Sequence, residues 1–115
     1  MAVSVKTFIQ AAQATTDITT SPSYTAVNAK AVIDKFTATN TGANNETLSV
    51  YITNTVPPVV DATKQIVDAR GIAPGETYTF PEVVGQVLDS GYAICTVAST
   101  DAVLTIRASG REITG

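Results

Sequence analysis

The sequence lacks histidine and tryptophan and has a single cysteine, Cys95. General acid–base catalysis near neutral pH most often uses a histidine, and a catalytic thiolate usually needs one as its base. A lone cysteine cannot form an intrachain disulfide. Because Cys95 lies in the apolar run 92–98, we expect a buried structural thiol.

Charge is also scarce, at 15% of residues against roughly 25% in typical soluble domains. The net charge is −3, and threonine, alanine, serine and asparagine replace the missing charge. Such a surface suits a chain that buries much of itself against neighbours, and equally an ordinary β domain. The scattered basic residues form no stripe for neutralising phosphates, so we expect no nucleic-acid partner. They are Lys6, Lys30, Lys35, Lys64, Arg70, Arg107 and Arg111.

Long hydrophobic runs are missing as well. No run approaches the roughly 20 apolar residues of a transmembrane helix. Residues 1–8 show no basic segment followed by an apolar one, so no signal peptide is visible. We therefore expect synthesis in a cytoplasm and no membrane partner.

The motifs of enzymes and metal sites are absent from the sequence. Paired carboxylates could act as acid and base, but Asp61 with Asp68 and Glu76 with Glu82 lie in turn-like or exposed contexts. We interpret them as solvated loop charges. No calcium loop, G-x-S-x-G, Walker or Rossmann pattern occurs. The sequence predicts no enzyme, no metal, no cofactor and no small-molecule substrate.

The dominant pattern that is present is alternation with period 2, which indicates half-buried β-strands. It occurs in three segments, whose apolar sets are Val3, Val5, Thr7, Ile9 and Ala11; Leu48, Val50 and Ile52; and Ala102, Leu104, Ile106 and Ala108. In the first segment Phe8 falls on the opposite, polar face. Residues 29–40 predict a longer strand whose phase needs a bulge near Ile33 and Asp34. Residues 92–98 are apolar on both faces, which is typical of a central strand covered on both sides.

Turn residues divide these strands. Residues 41–45 predict a hairpin over 29–55, and residues 99–101 predict one that pairs 92–98 with 102–109. Residues 61–68 fit a short helix or a strand, and 81–88 fit one or two helical turns. Pro74-Gly75 and Ser90-Gly91 are interpreted as corners of the fold and not as a ligand-cradling loop.

Together these signals predict an all-β protein with little or no helix. Evenly spaced strands suit an antiparallel β-sandwich, a jelly roll or a small barrel, and we favour a sandwich or jelly roll of about seven to eight strands. We expect a single domain over residues 1–115. Within it, residues 12–28 are predicted to form an arm or an edge-covering hairpin.

Two features are candidates for an interface. The first is the apolar, proline-stiffened connection formed by Val56, Pro57, Pro58, Val59 and Val60. If this connection is exposed, it forms an apolar patch of the kind that is typical of a protein-binding site. The alternative is that it folds back over one end of the core. The second feature is a pair of aromatic side chains, Tyr24 and Tyr51.

The C-terminal half resembles small virion proteins of tailed bacteriophages. The likeness rests on turn and strand chemistry: Pro74-Gly75-Glu76, Tyr78 to Phe80, Leu88-Asp89-Ser90-Gly91, Ile94 to Ala98, Ser99 to Asp101, Val103 to Ala108 and Gly110 to Ile113. The segment TATNTGANNETLSVYI, residues 37–52, adds to it. The resemblance implies a β-sandwich or jelly-roll body and no catalytic residues.

The resemblance also implies a function, that of a capsid decoration or cement protein. Its partners would be the major capsid protein and further copies of itself, as a dimer or trimer, on the capsid surface of a virion assembled in a bacterial host. A head–tail connector or tail component is the alternative. A third reading is a carbohydrate- or ligand-binding sandwich using Tyr24, Tyr51, Tyr78 and Tyr92, which the low aromatic content of 6% makes weaker.

Overall fold

The alternating segments of the sequence form nine strands in the computed structural model, which describes residues 2–114. The strands are β1 (Ala2–Gln13), β2 (Tyr24–Thr25), β3 (Lys30–Asn40), β4 (Glu46–Thr53), β5 (Gln65–Ile72), β6 (Thr77–Thr79), β7 (Val87–Leu88), β8 (Ala93–Ala98) and β9 (Leu104–Thr114). The helical content of the described residues is one 3-10 turn, Ala62–Lys64. These residues contain no helix that could cross a membrane.

The strands form two antiparallel sheets packed face to face. The first sheet has the order β1-β9-β3-β6, with β7 also paired to β3, and the second has the order β2-β8-β4-β5. The pairs are nested along the chain: β1 with β9, β2 with β8, β3 with β6 and β7, and β4 with β5. A long hairpin folded over itself in this way is a jelly roll. The predicted all-β sandwich is confirmed.

Both predicted hairpins are wrong. Residues 41–45 join β3 of the first sheet to β4 of the second, and residues 99–103 likewise join β8 to β9. Turn chemistry shows that the chain reverses but not which strand it pairs with afterwards. The strands flanking each turn therefore face each other across the core.

The core fills the space between the two sheets. Phe36 of β3 and Phe80 are fully buried and meet edge to face, with ring centroids 5.3 Å apart. Ile33, Leu48 and Ile106 are also inaccessible to solvent. Each such side chain contributes about 1.5–3 kcal/mol relative to exposure.

The bulge predicted in β3 is confirmed. The pairing of β3 with β9 shifts register between Ile33 and Lys35. The extra residue, Asp34, is exposed, and its carboxylate accepts two hydrogen bonds of 2.9 Å from Arg111. The bulge thus keeps a charge out of the core.

The predicted inward face of β1 is wrong over its first residues. The register with β9 shifts between Thr7 and Ile9, and both Phe8 and Ile9 are buried. Val3 and Val5 instead point away from the core, with 54% and 87% of their surface exposed. This first shift reverses the alternation, and the second shift, between Ile9 and Ala12, leaves Ala11, which was also predicted to face inward, exposed.

Residues 14–23 fold back across the outer face of the second sheet. Ile18 packs on Tyr51 and Cys95, and the buried hydroxyls of Ser21 and Thr96 share a 2.8 Å hydrogen bond. Strand β8 is therefore covered on both sides, as predicted. The buried thiol is confirmed, and burial raises the pKa of Cys95.

The two ambiguous segments contain turns and short strands. Asp61 accepts a 2.9 Å hydrogen bond from the Thr63 amide and begins the 3-10 turn, after which β5 starts. Residues 81–85 form turns that lead to β7. Gly75 and Gly91 have φ of 77° and 90°, a conformation that favours glycine, which agrees with their interpretation as corners.

Candidate interaction surface

The sandwich has two ends of different chemistry. One end holds the start of β1 and the end of β9, since Ala2 pairs with Thr114. The second sheet reaches the same end, since the end of β2 (Thr25) and the end of β4 (Thr53) both pair with Ala93, and the connection 26–29 leads from β2 directly to the start of β3. The connection 54–64 between β4 and β5 leaves the sandwich here too.

Exposed apolar side chains gather at this end, which we call the apolar end. Eight large hydrophobic residues are exposed in residues 2–114, and all of them are valines. Seven lie at the apolar end: Val3, Val5, Val27, Val56, Val59, Val60 and Val87. The eighth, Val84, lies in the turns beside β3. The opposite end, built from the connections 41–45, 73–76 and 99–103, exposes mainly small and polar residues.

The connection predicted as an interface projects into solvent. Val56 is 86% exposed, Val59 and Val60 are at least half exposed, and Pro57 is exposed. Only Pro58 is half-buried. The connection therefore does not cover the core, and it presents the apolar patch that the sequence describes.

Tyr24, the second predicted interface residue, is engaged within the fold. Its ring stacks on Phe8 with centroids 4.2 Å apart, and its hydroxyl donates a hydrogen bond to Glu112. Burial and the neighbouring Glu112 carboxylate raise the pKa of Tyr24. The side chain holds the short strand β2 against the first sheet.

Tyr51 is only 4% exposed and lies beneath Ile18. The reason is not local, because the residues that cover it come from the segment 14–23, some 30 positions earlier in the chain. The structure thus does not bring Tyr24 and Tyr51 together with the exposed connection.

The charges near the apolar end compensate one another. The described residues contain three ion pairs, and all of them lie here: Lys6 with Glu112, Lys30 with Asp89, and Arg111 with Asp34. Hydrogen bonds from Tyr24 and Lys6 lower the pKa of Glu112, and the Arg111 guanidinium lowers that of Asp34. This end is therefore locally neutral, although the chain as a whole is at −3.

The distinctive feature of the described residues is the exposed apolar surface and not a cluster of side chains that could bind a metal ion. No three His, Cys, Asp or Glu residues within 2–114 approach closely enough to hold a metal ion. The buried side-chain nitrogen and oxygen atoms of these residues all have hydrogen-bond partners.

Sequence reasoning missed four valines of this surface: Val3, Val5, Val27 and Val87. Val3 and Val5 look like core residues because they alternate with polar ones. Their outward position depends on the register shift between Thr7 and Ile9, which no local signal reveals.

Compared with known proteins, the chain matches no family model, no curated protein and no solved structure. A function must therefore be inferred from the strand order and from the apolar end.

Proposed function

We propose that the chain is a structural virion protein of the capsid decoration type, which attaches to a phage head by its apolar end. The observation that carries the proposal is the gathering of exposed valines at one end of the sandwich. Exposed apolar surface concentrated in one place is typical of a protein-binding site.

The architecture is compatible with this role. Jelly rolls occur in viral capsid and lectin domains. Because a fold alone hosts many functions, the architecture adds only modest weight. The likeness of residues 72–113 to small phage virion proteins points the same way.

The mechanism would be burial of apolar area between this chain and the capsid subunits beneath it. Each valine fully buried there would contribute about 1.5–3 kcal/mol. Many copies on one shell would bridge neighbouring subunits, and avidity would add to a modest affinity per copy.

The exposed valines of the connection 54–64 allow a direct test of attachment, by co-sedimentation with phage heads that lack the protein. The triple variant Val56→Ser, Val59→Ser, Val60→Ser should bind at least about tenfold more weakly, since only about 1.4 kcal/mol of lost burial gives this factor. The variant should fold normally because the three side chains are exposed.

The matched control is Ala43→Ser, which changes an exposed small residue of the connection 41–45 at the opposite end and should bind like the wild type. Wild-type protein that stays in the supernatant would overturn the proposal. Equal losses in both variants would show that the apolar end is not the attachment site.

Copy number separates this role from the connector or tail alternative. A decoration protein would be present in hundreds of copies per particle, and a ring component in about a dozen, which quantitative electrophoresis of virions distinguishes. The carbohydrate alternative gains no support, because Tyr51 is buried and Tyr24, Tyr78 and Tyr92 are half-buried, so none of the four presents a fully exposed ring.

A further inference from the structure

Strand β1 forms an open edge of the first sheet. It stands last in the strand order and pairs with β9 on one side only, as far as residues 2–114 show. Its second row of main-chain N–H and C=O groups therefore faces away from any strand of this chain. Such an edge is a template for pairing with another chain unless proline, charge or bulges protect it.

Protection is confined to the second half of the strand. Register shifts occur between Thr7 and Ile9 and between Ile9 and Ala12. Residues 2–6 are regular and contain no proline. Their one charge, Lys6, is held by Glu112 at 3.3 Å and does not project along the edge as a free ammonium.

The regular segment is self-complementary. An antiparallel partner that uses all of residues 2–6 must be centred on Ser4, since Ser4 is the middle residue. In that register Val3 lies opposite Val5 of a second copy and Val5 opposite its Val3. Lys6 lies opposite Ala2, so like charges do not meet.

The outer face beside the edge carries valines next to Arg111, whose charge is paired with Asp34. Val5 shares it with Arg111, Val32 and Val87 across successive strands, and Val3 lies next to Ile113. Two-fold pairing would bring the two valine rows together into one larger face, and pairs of β-branched residues across strands are favourable. Because the charges beside the edge are paired with opposite charges, the contact adds no like-charge pair to the general repulsion between two copies at −3.

We propose that the chain forms a two-fold dimer by antiparallel pairing of β1 with β1 of a second copy, centred on Ser4. The two first sheets then make one continuous sheet, and the contact is isologous and closed. A second copy fits as the partner because, in this register, each valine of one copy lies opposite a valine of the other. Each Lys6 lies opposite an alanine and not opposite another charge. The dimer is a property of the free chain and does not rest on the proposed function.

Sedimentation equilibrium of the purified chain at about 10–200 µM should give twice the monomer mass, since small interfaces associate in this range. Val5→Lys should weaken the dimer at least about tenfold, because it places a new charge beside each valine of the seam. The matched control is Val27→Lys, which alters an exposed valine at the same end but off β1 and should leave the dimer intact. Circular dichroism checks that both variants fold, as expected for side chains 87% and 68% exposed.

Disulfide trapping tests the register. Directly opposed residues have Cα atoms about 4.5–5.5 Å apart, within the range that a disulfide spans. Ser4→Cys should therefore form a linked dimer on mild oxidation, and a mixture of Val3→Cys with Val5→Cys should form linked pairs. Val5→Cys alone should link poorly, because diagonal residues are about 7–8 Å apart. Wild-type protein, whose thiol is buried, is the control for background linkage.

Several results would overturn the proposal: a monomer throughout the concentration range, a trimer, a dimer unaffected by Val5→Lys, or no link through Ser4→Cys. Binding to phage heads is a separate measurement. A monomeric chain that still binds phage heads would refute the dimer but not the proposed function. A disulfide-linked dimer that does not bind phage heads would refute the proposed function but not the dimer.

Discussion

Asn40, at the end of β3, shows how a single buried polar residue directs the chain from one sheet to the other. Its side-chain amide donates 2.8 Å hydrogen bonds to the carbonyl oxygens of Ile72 and Asn44, and its side-chain oxygen accepts one of 2.9 Å from the Gly42 amide. The bond to Ile72 joins β3 of the first sheet to β5 of the second. The side chain thus stabilises the turn and the sheet-to-sheet contact together.

Replacing Asn40 by alanine should lower the free energy of unfolding by about 1–3 kcal/mol, because it leaves buried backbone groups without partners. Urea denaturation measures the change. The control, Asn45→Ala in the same turn, concerns an exposed side chain and should stay within about 0.5 kcal/mol of wild type. Equal effects of the two substitutions would show that Asn40 has no special role.

Tyr24 links stability to alkaline pH. Its pKa is raised in the folded chain above the ordinary value near 10, first by burial and then by Glu112. The neutral phenol therefore contributes stability below that ordinary value, and the contribution declines as pH rises past it.

Thermal unfolding followed from about pH 8, where the phenol is neutral in both states, to about pH 11, above the ordinary pKa, should show a steeper loss above about pH 10 in wild type than in Tyr24→Phe. Phenylalanine keeps the stacking on Phe8 but has no hydroxyl to ionise. Parallel curves for the two proteins would refute this linkage. Lysine and the other tyrosines titrate in both proteins, so the difference between the curves isolates Tyr24.

At the scale of the element, β9 depends on a close approach that only glycine permits. Gly110 lies between Lys6 of β1 and Ile33 of β3 in the first sheet. A Cβ at this position would clash with the Val32 carbonyl oxygen and lie 2.7 Å from Cε2 of Phe8. The stacking of Phe8 on Tyr24 is therefore built over a residue without a side chain.

Gly110→Ala should destabilise the protein by about 3 kcal/mol or more, because the clash involves backbone as well as a packed ring. The matched control is Gly71→Ala in β5, where the new methyl group would meet no atom within 4 Å. Chemical denaturation of both variants tests the contrast. Similar midpoints would show that β9 shifts at little cost.

The whole molecule is organised by pairing between distant parts of the chain. β1 pairs with β9 at the two extremes of the sequence, and β2 with β8 just inside them. Among the strands of residues 2–114, only β4 and β5 are both consecutive along the chain and paired with each other. The contacts that stabilise the fold thus join residues far apart in the sequence, so they can form only when most of the chain is present.

A jelly roll with this strand order should fold slowly, with a main phase on the scale of about milliseconds to seconds. The reason is that the chain loses the entropy of closing long loops before the contacts between distant strands form. Stopped-flow refolding followed by tyrosine fluorescence measures the rate. A main phase of microseconds would contradict this account of the fold.

Much of the fold was predictable because strand periodicity and turn chemistry are local. Alternation along β4 and β9, the bulge at Asp34, the buried Cys95 and the glycine corners all follow from short stretches of sequence. The connection at Val56 was likewise visible as a break between strands, but the sequence left open whether it is exposed or covers the core.

Several features lay beyond local signals. The hairpin expected around residues 41–45 failed because a turn does not specify the sheet in which the next strand lies. Tyr51 is buried by Ile18, a residue from a distant segment. The outward position of Val3 and Val5 depends on a register shift farther along β1.

Local signals in the sequence were enough to predict an all-β sandwich with one buried thiol, because side-chain alternation and turn residues act over a few positions. The pairing of the strands, the open edge and the end that carries the exposed valines follow only from the folded chain. Those properties arise from contacts between residues far apart in the chain, and their geometry is set when the two sheets close on the core.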